Sequence, residues 1–288
     1  MTRVDAEATH HLRRLAARLV EAARERIPLR AAILVGSAGR GDADFYSDLD
    51  LLLYVDQLPG VEALTQIRNI IGGANPSRRS EPTDDFCSEE FDVNGIRTEV
   101  SFLTVNRAEQ RLDRLLEDIE AFDSPLQKIL SGLLEGLPLH GEDFVERWRD
   151  RVGSYPERLR RAIIERHWNF FPVWYYGEGM ARRDSELWRL DMLLDAAFNL
   201  LAVLAALNRL YFTRFELKRT RTLIARMALA PPHLADRLES LCRLEPDAAA
   251  DQLGRLINET RALVMSELPD LQLPLPFPPG TRQQPWSP

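Results

Sequence analysis

The stretch LVGSAGRGDADFYSDLDLLLYV, Leu34 to Val55, sets two carboxylates at the mouth of an apolar run, just after a glycine-rich turn. Asp48 and Asp50 are separated only by Leu49. On a strand, residues two apart point to the same face. Carboxylates held together repel unless a cation lies between them. The pair therefore asks for a divalent metal. Carboxylate oxygens with open water positions suit Mg²⁺ bound jointly with a phosphate ligand.

Gly36 and Ser37, with ten residues between them and Asp48, supply the complement. A glycine turn after a strand lets backbone N–H groups approach phosphate oxygens, and the Ser37 hydroxyl adds a donor. A metal beside a phosphate cradle describes phosphoryl or nucleotidyl transfer. Such chemistry wants a third carboxylate. Glu99, inside RTEVSFL, is the first candidate, because a charged residue amid an apolar strand needs a partner. Asp92 is the second.

The surrounding pattern fits a mixed α/β domain. Leu12, Leu15, Ala16, Leu19 and Ala22 fall on one face of an N-terminal amphipathic helix. RAAILVGS and LDLLLYV read as buried strands, and VEALTQIRNIIGGA as a helix stopped by glycines. NPSRRSEPTDD reads as a polar loop. FCSEEFDV and IRTEVSFLTV flank Asn94-Gly95, a strong hairpin signal. A helix follows, with Asn106 as its N-cap.

From about Ser124 onward strand signals vanish and helical stretches follow. The expected class is α+β: an N-terminal mixed-sheet catalytic domain over residues 1–123, an all-α helical bundle over 124–268 and a proline-rich extended tail over 269–288.

Gly36-Ser37, ten residues and Asp48-x-Asp50 together resemble the signature of the nucleotidyltransferase superfamily related to DNA polymerase beta. The chain is most similar there to minimal and antibiotic-modifying nucleotidyltransferases that follow the catalytic domain with a helical bundle. The resemblance implies that Gly36 and Ser37 hold a triphosphate and that Asp48 and Asp50 ligate Mg²⁺. Glu99 would ligate a second metal or take the acceptor proton. A nucleoside monophosphate, AMP from ATP by first choice, would pass to a hydroxyl of a small molecule, with an aminoglycoside-like antibiotic the leading guess by family analogy. Rival readings are nucleotidylation of a protein or tRNA, as in toxin–antitoxin pairs, and an inactive nucleotide-binding regulator.

Other residues bear on the same chemistry. Arg40 sits in the glycine loop, within reach of phosphate or solvent. NRLYFTRFELK resembles a segment in the helical domains of these relatives, which offers Arg209 and Lys218 to the β- and γ-phosphates; the alternative is a helix end that favours positive charge. The aromatic run His167 to Gly179 suits core packing better than stacking on a ligand. Asp191, Asp195 and Asn199 recur every four residues and form a polar stripe, a solvated face or a grip for an amine-rich acceptor.

The net charge of −7 argues against binding nucleic acid through phosphate contacts, tRNA being the one exception held open. The two cysteines lack metal-ligand spacing, which suggests a reducing cytoplasm. The most apolar stretch, MLLDAAFNLLAVLAALNRLYF, is interrupted by Asp195 and Asn199, so a buried helix is expected rather than a membrane span. Either a monomer or a homodimer fits.

Overall fold

The computed structural model describes residues 3–77, 82–117, 127–214 and 217–274. The chain divides into two compact units, Met1–Ala121 with Ile129–Ser154, and Phe122–Lys128 with Tyr155–Pro288.

In the first unit, α1 (Arg3–Arg24) buries Leu12, Leu15, Ala16, Leu19 and Ala22, the stripe that helical periodicity requires. Then come β1 (Leu29–Val35), the single turn α2 (Gly36–Arg40), β2 (Leu49–Val55), α3 (Val61–Ile70), β3 (Ala74–Ser77), β4 (Phe86–Val93) and β5 (Ile96–Thr104). The unit continues through α4 (Val105–Glu117), α5 (Gln127–Glu135), β6 (Leu137–His140) and α6 (Glu142–Gly153).

The described strands form one mixed sheet, ordered β3-β4-β5-β2-β1-β6. β2 runs parallel to β5, and the other neighbours are antiparallel. With the helical second unit this is the α+β architecture the patterning predicts. Asn94 and Gly95 both have positive φ and close the two-residue β4–β5 hairpin.

The leucine run of β2 reflects its central place. Leu49, Leu51 and Leu53 are buried on the α1/α3 side, together with Ala32, Leu34, Val100 and Phe102. Asp50, Leu52 and Tyr54 alternate onto the other side. There Tyr54 meets Trp148 of α6 edge-on, with ring centroids 4.7 Å apart. Asp50 thus sits at the open end of a face whose far end is filled by aromatic packing.

Three local expectations change. Part of the supposed polar loop is β3, recruited by β4. α4 starts at Val105, so Asn106 lies inside the first turn, and the cap is Thr104, whose Oγ1 accepts from the Arg107 N–H at 3.2 Å. The strand signal does not end at Ser124, because β6 pairs with β1. β6 holds Pro138, which an edge strand tolerates. The expected boundary at 123/124 accordingly moves: residues 129–154 belong with the sheet.

The second unit is helical over its described elements: α7 (Glu157–His167), a 3-10 turn (Val173–Tyr176), α8 (Glu178–Ala181), α9 (Glu186–Leu207), α10 (Thr220–Ala225), α11 (Leu234–Ser240) and α12 (Pro246–Glu267). α9 packs against both α7 and α12, and its C-terminal half, Leu200 to Leu207, is wholly buried. α9 is long and apolar enough to cross a membrane, but most of it serves as this unit's core. The first residues of the expected tail are docked. Leu271 and Leu273 are buried, and Trp168 Nε1 donates to the Pro274 carbonyl at 2.9 Å. The rest of the tail, from residue 275, lies outside the described residues.

Candidate active site

β1 ends at Val35, the cross-strand partner of Asp50. The next residue, Gly36, has φ +67°, and a Cβ there would lie 2.6 Å from Asp50 Oδ2. A side chain there would be strained by the backbone and would have to push the carboxylate aside. The turn this permits is α2, closed by Gly41, whose N–H donates to the Ser37 carbonyl at 2.9 Å.

α1 clamps this turn. Arg13 donates from Nε to the Ala38 carbonyl and from Nη2 to the Gly39 carbonyl, both at 2.9 Å. The Ala43 N–H donates to Thr9 Oγ1 at 3.1 Å. Sequence reasoning missed both residues. The one signal they leave is placement four apart along α1, beside its apolar stripe. Further on, Asp44 Oδ1 accepts from the Tyr46 N–H at 2.9 Å and from Ser47 Oγ at 3.1 Å, which fixes the approach to Asp48. Arg40 closes α2 at the surface, its Nε 3.4 Å from Asp42 Oδ1.

Strand register decides how the acids meet. Asp50 pairs with Glu99 on β5, and Glu99 pairs with Glu90 on β4. Directly paired residues project to one face, about 5 Å apart. One rung of the sheet therefore carries Asp50, Glu99 and Glu90 in succession, with Asp48 two residues along. Like charges directly opposite one another destabilise a sheet, so the rung needs counter-charge.

Arg97 supplies part of it. Its Nε and Nη2 grip the Glu90 carboxylate at 2.8 and 2.7 Å, and its Nη1 stands 4.0 Å from Asp48 Oδ2. The Glu90 hydrogen bonds, with smaller contributions from Asp48 and Glu99, raise its affinity for its proton above the ordinary guanidinium value. Asp92, the second candidate for third carboxylate, lies toward the sheet edge, where Asn75 Nδ2 donates to its Oδ2 at 3.1 Å.

The structure thus brings Gly36, Asp50 and Glu99 into cross-strand succession, with Asp48 on the same strand end. It does not draw the acids around one point: among the described residues, no three His, Cys, Asp or Glu side chains lie close enough to hold a metal ion. The donor set, hard carboxylate oxygens beside close-approaching backbone, nonetheless suits a cation such as Mg²⁺.

Two candidates belong to the second unit. Arg209, at φ +55°, donates to Glu157 Oε2 at 3.2 Å, and Lys218 is exposed. The α9 stripe is largely spent internally. Asp195 takes Arg214 at 2.8 Å, and Asn199 Oδ1 sits 2.9 Å from His167 Nδ1.

Residues 16–119 match the family model of the nucleotidyltransferase domain. The match spans Gly36, Ser37, Asp48, Asp50, Glu90, Arg97 and Glu99, leaves out Thr9 and Arg13, and points to generic nucleotidyl transfer. A solved structure of a nucleotidyltransferase-like protein from Exiguobacterium sibiricum covers 91% of this chain and 75% of its own, at 12% identity and a TM-score of 0.40. That likeness is too distant to carry an argument. No curated protein matches the chain.

Proposed function

We propose that the protein transfers a nucleoside monophosphate, AMP from ATP by first choice, to a hydroxyl of a small molecule, with Mg²⁺ as cofactor. The observation that supports this most is the rung itself: Gly36 against Asp50, and Asp50 beside Glu99.

Asp48 and Asp50 would hold the metal, which when bound neutralises phosphate charge and eases loss of the acceptor proton. Backbone N–H groups at Gly36 and Ser37, with the Ser37 hydroxyl, bind the triphosphate. Arg40 is the cation assigned to its outer phosphates, where it offsets charge on the leaving group. Glu99 takes the proton from the acceptor hydroxyl. The hydroxyl oxygen bonds to the α-phosphorus, the bond to the bridging oxygen breaks, and pyrophosphate leaves. An aminoglycoside-like acceptor rests on family resemblance alone. The two unlinked thiols, Cys87 and Cys242, support a reducing cytoplasmic setting.

The test is incubation with labelled ATP, GTP, CTP and UTP, Mg²⁺ and a panel of hydroxyl acceptors, following pyrophosphate release. The wild type should form labelled product, and Asp50→Asn should lose about a thousandfold or more in rate, the scale of removing a central electrostatic group. If wild type and Asp50→Asn behave alike, with the same metal–nucleotide affinity, the reading is wrong.

A further inference from the structure

Arg97 is a guanidinium half spent. Two of its nitrogens are fixed on Glu90, and in the fork geometry this holds the group rigid. Its third nitrogen, Nη1, lies at ion-pair distance from Asp48 but beyond hydrogen-bond reach, and makes no hydrogen bond among the described residues. Its side chain is 47% exposed. A buried structural arginine would have its donors satisfied. Here one edge is anchored and the other faces the space above the acids.

Strand order says which substrate that edge meets. The Gly36–Ser37 turn leaves β1, on one flank of Asp50, whereas Arg97 and Glu90 stand on β5 and β4, on the other flank. β1 and β5 are two strand spacings apart, about 10 Å, so one phosphate group cannot touch both. If the donor triphosphate lies on the glycine turn, the β5–β4 flank is the acceptor's. The β4 acids of that flank are occupied: Glu90 holds Arg97, and Asp92 takes Asn75. With Glu99 given to the reaction, Arg97 Nη1 is the cationic donor that the described residues offer there.

We infer that Arg97, positioned by Glu90, selects an acceptor that carries an oxyanion, a phosphate or carboxylate, close to its reacting hydroxyl. This rests on the nucleotidyl-transfer reading above and narrows it. A fixed guanidinium rewards an oxyanion and repels the amines of a polycationic acceptor.

The test is calorimetric titration of the full chain, first with Mg²⁺ and α,β-methylene-ATP, then with glycerol 3-phosphate, and with glycerol as its neutral mate. The wild type should bind glycerol 3-phosphate and not glycerol. Arg97→Ala should weaken glycerol 3-phosphate about tenfold or more while changing nucleotide affinity less than about twofold. Arg97→Lys should recover part of the loss, and Glu90→Gln should weaken binding by releasing the fork. Three results would overturn the inference: glycerol binding as well as its phosphate, Arg97→Ala weakening the nucleotide instead, or Arg97→Ala lowering only the melting temperature, as an ordinary cross-strand ion pair would. If the wild type binds no nucleotide, the preceding reading falls. Glycerol 3-phosphate is then titrated alone, and absence of Arg97-dependent binding sinks this inference as well.

Discussion

Asp48, Asp50, Glu99 and Glu90 share one face of the first unit's sheet, whereas Asp191, Asp195 and Asn199 run down one side of α9 in the second. Both sets place polar groups in apolar segments, and the surroundings treat them differently. On α9 the spacing of four gives Asp195 and Asn199 their own neighbours. Asp195 finds Arg214, and Asn199 reaches His167, the Asn169 carbonyl and Asp195. On the sheet, register stacks acid against acid, and Arg97, 4.0 Å from Asp48, is itself gripped by Glu90. A polar stripe that satisfies itself is architecture. A rung that concentrates like charge carries an electrostatic cost that a metal–phosphate ligand would relieve.

Substitutions can break this contrast. After Asp50→Asn, the largest effect is expected at Gly36→Ala, where a Cβ would collide with Asp50 Oδ2 at a positive φ. Transfer should fall about a hundredfold or more, with about 1–3 kcal/mol of stability lost to backbone strain; pyrophosphate release and a denaturant melt read the two effects. Unchanged transfer would show that the close approach has no use. Next is Arg13→Ala, which removes two charge-assisted hydrogen bonds to the turn. A loss of about 1–3 kcal/mol is expected, with nucleotide affinity falling alongside stability.

Two smaller changes sharpen the other side. Thr104→Val should cost about 1 kcal/mol through the lost cap of α4, leaving Mg²⁺–nucleotide affinity intact. Asp195→Ala opens an exposed ion pair with Arg214, so thermal melts should register about 0.5 kcal/mol, with no change in transfer rate. A large loss of transfer there would restore the α9 stripe as an acceptor site.

Much of the site was legible because strand alternation and turn chemistry are local. The spacing of Asp48 and Asp50, the leucines of β2 and the Asn94-Gly95 hairpin all announce themselves without tertiary information. What stayed hidden depends on register or on distant partners. Arg97 and Glu90 lie in plain view on the two hairpin arms, yet their meeting beside Asp48 follows only once β5 is laid parallel to β2. Arg13 looks like the other arginines of α1 until its guanidinium meets the turn. The cap falls two residues before Asn106 because Thr104, the last strand residue, has the hydroxyl in reach. β6 is four residues long and contains proline, so its strand character comes from the waiting edge of β1 rather than from propensity.

That late strand has a practical consequence for anyone cutting the gene. The chain has supplied its glycine turn and clustered acids by Glu99 yet adds the sheet's last strand only at Leu137–His140. A fragment stopped at residue 123, where composition invites the cut, would strip β1 of its neighbour and bare a row of unsatisfied amides and carbonyls. Such an edge recruits other molecules. Insolubility of that fragment would report a missing seam, not a failed enzyme, and extending it to Ser154 is the repair.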